Sequence, residues 1–127
     1  MKRRRIAWIL LFSIALTLVG CGKADALKGT WTQVRSMRNE ELNEKIENGT
    51  LIHTYTFNGH GKGEEMTWRD GTKITIPFEY ELIERGTTIL VIDGIQIPYA
   101  FVGDTLQMQI MQGGGKTDFF VFERTED

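Results

Sequence analysis

From residue 29 onward the chain alternates between apolar and polar positions. Ile74, Ile76, Phe78, Tyr80 and Leu82 are interleaved with Lys73, Thr75, Pro77, Glu79 and Glu81. An extended strand carrying that pattern has one apolar face and one mostly charged face. Ile95, Ile97, Tyr99 and Phe101 repeat it, as do Leu106, Met108 and Ile110, and Phe120 and Phe122 share a face with Arg124 next in their row. Asn58-Gly59, Asp70-Gly71, Asp93-Gly94, Gly103-Asp104 and Gly113-Gly114-Gly115 fall between the runs and supply turn residues that tolerate positive φ. The pattern predicts eight strands, over 29–36, 50–58, 62–69, 73–83, 87–93, 95–102, 105–112 and 116–124. Short connections make neighbours antiparallel. A meander with one apolar face covers that face and loses its exposed edges by closing on itself. The predicted fold is all-β, an eight-stranded antiparallel up-and-down barrel.

Two details qualify this frame. Ile74-Thr75-Ile76-Pro77-Phe78-Glu79-Tyr80 is echoed by Ile95-Gln96-Ile97-Pro98-Tyr99-Ala100-Phe101. A proline removes a ladder donor, so Pro77 and Pro98 should each mark a bulge or a break in pairing. The connection from Met37 to Gly49 is rich in Glu, Asn and Arg, with Leu42 and Ile46 spaced i, i+4 and Glu41 and Lys45 forming an i, i+4 pair of opposite sign. It predicts one short amphipathic helix between the first two strands, serving as a plug in one barrel end or as a lid over a cavity.

The beginning of the chain follows different rules. Lys2-Arg3-Arg4-Arg5 precedes Ile6 to Val19, a run with only Ser13 and Thr17 polar. As a helix that run would reach roughly 21 Å, short of a hydrocarbon core of roughly 30 Å. A basic cluster before a short apolar run reads as a secretory signal; the alternative is a transmembrane anchor. Leu18-Val19-Gly20-Cys21 resembles the lipobox of bacterial lipoprotein signals at all four positions. The resemblance implies cleavage before Cys21, a diacylglycerol thioether on its sulfur, and palmitate-type acyl chains. Two or more such chains anchor stably where one does not. The implied layout is a signal peptide over 1–20, a tether over 21–27 and a barrel domain over 28–127. The implied location is the extracytoplasmic face of a cell membrane.

Composition narrows the partners. Without residues 1–20 the chain keeps eleven basic against seventeen acidic residues, a formal charge of −6. Such a domain gains nothing from polyanions, which argues against nucleic acid, and it has no polybasic patch for anionic lipid. One cysteine excludes an internal disulfide.

Gly29-Thr30-Trp31 resembles the Gly-x-Trp signature of lipocalin-like barrels, and Arg124 the arginine that packs across that tryptophan at the barrel floor. More closely, the chain resembles small lipocalin-like lipoproteins of bacteria. The matching pieces include Leu27-Lys28-Gly29-Thr30-Trp31, Tyr55-Thr56-Phe57-Asn58-Gly59, Gly61-Lys62-Gly63, Pro77-Phe78-Glu79-Tyr80, Gly103-Asp104-Thr105-Leu106 and Phe122-Glu123-Arg124. The resemblance implies a floor stack of Trp31 and Arg124. Classical lipocalins are longer and roomier, and here Trp68, Phe78, Tyr80, Tyr99 and Phe101, read as inward-facing, either line a ligand site or fill the interior.

No catalytic arrangement emerges. His53 lies among Leu51, Tyr55 and Phe57 and reads as a hydrogen-bonded structural residue; His60 lies in a turn. Glu79 and Glu81 share the outward face, Glu64 and Glu65 alternate, and Met108 and Met111 lie on opposite faces. No metal-ligand spacing, cofactor motif or nucleophile–base pair is present. Two functions stay open for a monomeric, non-catalytic domain: a binding module for a small apolar ligand, or a solid-core interaction or inhibitor module for an envelope protein.

Overall fold

Eight strands run in chain order as β1 (Gly29–Ser36), β2 (Leu51–Phe57), β3 (Lys62–Arg69), β4 (Thr72–Glu84), β5 (Thr88–Ile92), β6 (Ile95–Val102), β7 (Thr105–Met111) and β8 (Thr117–Arg124). The structure is a computed structural model and describes residues 25–111 and 113–125. Every strand pairs antiparallel with its sequence neighbours, and β8 returns to pair with β1, so the sheet closes as the alternation predicts. Asp70 and Asp93 take φ of 52° and 50° ahead of Gly71 and Gly94, the left-handed pair that a tight hairpin needs.

Among the described residues one α-helix forms, α1 (Glu40–Glu47), between β1 and β2. Asn39 caps it by accepting from the Leu42 N–H. Asn43 ties it to the strand end: its amide donates to the Ser36 carbonyl at 2.9 Å, and its Oδ1 accepts from the Ser36 N–H at 2.6 Å. The helix has no buried residue, Leu42 and Ile46 being half-buried. It therefore sits on the β1–β2 shoulder and does not plug the barrel.

The barrel has two unlike ends. At the floor, Leu27, Trp31, Tyr55, Phe57, Phe78, Tyr80, Tyr99, Leu106, Met108 and Phe122 form one buried cluster. Its rings interlock, with Phe57 5.0 Å from Tyr80 and 5.7 Å from Phe78, and Tyr55 5.5 Å from Phe122. An eight-stranded barrel is narrow enough for such side chains to fill it. Leu27 is fully buried and Asp25 accepts from the Tyr80 hydroxyl, so residues 25–27 belong to the domain and the tether expected over 21–27 is shorter at this end. An apolar leucine beside an open floor gains more by packing there than by staying in water.

Pairing does not break at the prolines. Pro77 lies opposite Glu64 and Pro98 opposite Ile89 without a register shift; the irregularity falls instead between Gln33 and Arg35 in β1. Each proline lies where its strand is paired on one side only. β4 pairs with β3 over 72–79 and with β5 over 80–84, and β6 pairs with β5 over 95–98 and with β7 over 99–102. A missing N–H is tolerated at such a local edge.

Candidate functional site

The handover in β4 opens the helix end. Residues 72–79 have no β5 partner, so the upper arm of β4 stands beside a slit closed below by the Asp93 N–H donating to the Glu79 carbonyl. Ile74 and Ile76 share the inward face with Phe78 and Tyr80, yet they are 54% and 53% exposed; Ile95, inward on β6, is 65% exposed. An inward side chain in a closed barrel meets water only where the barrel stays open above it. Ile92 and Ile110, partly buried against the core, continue this apolar wall across β5 and β7.

The facing wall is different. Gln33 on β1, His53 and Tyr55 on β2 and Glu65 on β3 point inward, and Gln33, His53 and Glu65 form one chain of hydrogen bonds. His53 Nδ1 lies 2.7 Å from Gln33 Oε1 and His53 Nε2 lies 2.7 Å from Glu65 Oε2. The Glu65 carboxylate can only accept, so Nε2 is the donor in that bond. The His53 hydrogen bond holds the Glu65 carboxyl below its ordinary value, against the opposing effect of burial; burial first, then the Glu65 charge, pushes the Tyr55 phenol up. Above them Asp118 is buried and accepts from the Ser36 hydroxyl, the Arg38 N–H at 3.0 Å and the Phe119 N–H at 2.7 Å. The Phe120 ring lies edge-on to His53 at 6.5 Å, and Leu51 is buried.

Register explains how Glu65 comes to face inward. Gly63 lies opposite Phe57 and Phe78 on the inner face. A Cβ there would stand 2.3 Å from the Thr56 carbonyl oxygen and 2.9 Å from the Phe78 ring. Glycine therefore fixes which face of β3 turns in, and Glu65 and Thr67 follow at period two.

The same register corrects the reading of Trp68. It lies opposite Ile52 and Lys73 on the outer face and lines no interior site. The sequence reading placed Trp68 inward, but the inner row of β3 is Gly63, Glu65 and Thr67. Phe78, Tyr80 and Tyr99 point inward and are buried in the floor cluster. Phe101 also points inward, but at the floor end, 44% exposed and 5.9 Å from the Trp31 ring. Cys21 lies outside the described residues.

Trp31 and Arg124 meet as cross-strand partners of β1 and β8, with the guanidinium carbon 4.2 Å from the indole centre. The indole N–H donates to the Leu27 carbonyl at 2.9 Å, and Arg124 donates to the carbonyls of Lys28 and Ala26 at 2.6 and 3.3 Å. Gly29 makes room: a Cβ on it would lie 2.7 Å from Arg124 Nη1, and its φ is +122°. A cleft of about 580 Å³ opens beside this stack, lined by Trp31, Phe101, Asp104 and Arg124 among others. Another, of about 640 Å³, lies on the outer wall around Thr56, Lys62, Glu64, Pro77, the Phe78 ring and Asp93.

Gln33, Glu65 and Asp118 were not singled out from the sequence. For Asp118 a signal existed, since it heads the row of Phe120 and Phe122; for Glu65 the alternation was present but its phase was ambiguous.

No protein-family model and no curated protein matches the chain. Among solved structures it is similar to fatty-acid-binding protein 1 of Echinococcus granulosus, at 12% identity and a TM-score of 0.45, over 80% of this chain and 98% of that one. It is also similar to the Schistosoma mansoni fatty acid binding protein in complex with arachidonic acid, at 17% identity and a TM-score of 0.46, over 83% of this chain and all of that one.

Proposed function

We propose that this protein is a non-catalytic, monomeric binding barrel that takes a small apolar molecule through its helix end, and that a lipid on Cys21 tethers it to the extracytoplasmic face of a cell membrane. The supporting observation is the exposed inward row of Ile74, Ile76 and Ile95 above a filled floor. Apolar surface held open to water on a concave wall gains roughly 25 cal/mol for each Å² that a ligand covers. The filled floor limits the ligand to the upper barrel. The lipid reading rests on Leu18-Val19-Gly20-Cys21.

The test is mass spectrometry of the full chain purified from its own cells. One apolar compound should accompany the wild type and be lost from Ile76→Lys. A compound-free wild-type spectrum under gentle extraction would end the reading.

A second reading is favoured by the outer-wall cleft at Pro77 and Phe78. There a solid-core interaction module would receive an envelope protein from outside. In that case Glu64→Ala together with Pro77→Ala would abolish crosslinking to a stoichiometric partner in intact cells, and Ile76→Lys would not.

A further inference from the structure

Resting on the binding reading above, the chemistry of the mouth narrows the ligand further. We infer that the ligand is an apolar molecule carrying a hydrogen-bond donor, a hydroxyl or an ammonium, and not a carboxylate. The two walls differ strand by strand. Isoleucines line β4 through β7, and polar groups line β8 through β3. At the β3–β4 seam they meet at two inward cross-strand pairs, Glu65 opposite Ile76 and, nearer the rim, Thr67 opposite Ile74; at the β7–β8 seam Ile110 faces the buried Asp118. A molecule lying on Ile76 therefore brings its polar group to Glu65.

On the polar wall the carboxylate that stands beside Ile76 is an acceptor. His53 gives its Nε2–H to Glu65, and Ser36 gives its hydroxyl to Asp118. A carboxylate offers about four lone-pair positions. Glu65 uses one of its positions on His53, and its side chain is 35% exposed. Asp118, on the same wall, is buried and already accepts three hydrogen bonds. Arg69 ends β3 at the exposed rim, roughly 13 Å along the strand from Glu65. An anionic group at the Glu65 level would meet a carboxylate of like charge, whereas a hydroxyl or ammonium there donates to its open lone pairs.

The experiment uses the full chain in lipid nanodiscs with three photoreactive long-chain probes of equal membrane content, ending in hydroxyl, ammonium or carboxylate. Mass spectrometry reads labelling of the peptides that carry Ile74–Ile76 and Ile95. The hydroxyl or ammonium probe should label them roughly tenfold more than the carboxylate probe. The stronger of those two identifies a neutral or a cationic source. Glu65→Gln should raise carboxylate labelling toward the others. Should that variant fail to fold, the wild-type comparison alone decides. Strongest labelling by the carboxylate probe, lost in Arg69→Gln, would overturn the inference and leave the binding reading intact. Labelling of the mouth by none of the three would overturn the binding reading itself.

Discussion

Trp31 and Arg124 lock the first strand to the last, the guanidinium lying 4.2 Å from the indole centre at the seam where the barrel closes. The stack depends on a third residue, because the guanidinium passes through the space a Gly29 side chain would take. Trp31→Ala should cost about 3–5 kcal/mol in urea or thermal melts, as buried aromatic truncations do. Arg124→Ala should cost less, about 0.5–2 kcal/mol. Gly29→Ala should destabilise both by its φ and by displacing Arg124. Its cost should shrink in the Arg124→Ala background, and additive costs would show that the two residues do not share space.

Asp118 organises the corner where β1 gives way to the helix. Replacing it by Ala leaves the Ser36 hydroxyl without its acceptor and the Arg38 N–H with only the Ser36 oxygen at 3.2 Å. The expected loss is about 1–3 kcal/mol, with faster amide exchange across 36–43 as the local signature. Unchanged exchange there would mean that water serves those donors equally well.

Stability should fall at both ends of the pH scale. Burial, followed by the hydrogen bond to Asp25 and its charge, pushes the Tyr80 phenol up to about 12, and burial raises Tyr55 and Tyr99 too. These groups favour the folded state fully below the ordinary tyrosine value of 10, and that contribution drains as pH rises from 10 toward about 12. Tyr80→Phe should show a shallower alkaline decline. Glu65 acts in the opposite direction. Its carboxyl is held below the ordinary 4.5, so its contribution is present above that value and is lost as pH falls through the folded one. In Glu65→Gln the acid limb should flatten; identical acid limbs in urea melts would remove Glu65 from the account.

Cys21→Ser should move the protein from the membrane fraction to the soluble one. Retention of the variant would assign anchoring to the apolar run over 6–19, the alternative that the sequence leaves open.

Trp68→Ala should change stability little, about 0.2–1 kcal/mol, because the ring stands on the outer wall against Ile52. A loss as large as that of Trp31→Ala would place it in the core.

What the sequence determined by itself was the strand count, the turns and the closure; the floor stack was implied only by a resemblance. Period-two alternation, Asp-Gly pairs and the Gly-x-Trp start are local features, and each acts within a few residues. What the tertiary structure decided was phase and partnership. Whether β3 turned Trp68 or Glu65 inward depended on Gly63 meeting Phe57 and Phe78, residues that the chain brings together only across neighbouring strands. Whether Ile76 became core or mouth depended on where β5 stopped pairing with β4. Alternation says that a strand has two faces; only its neighbours settle which face is dry.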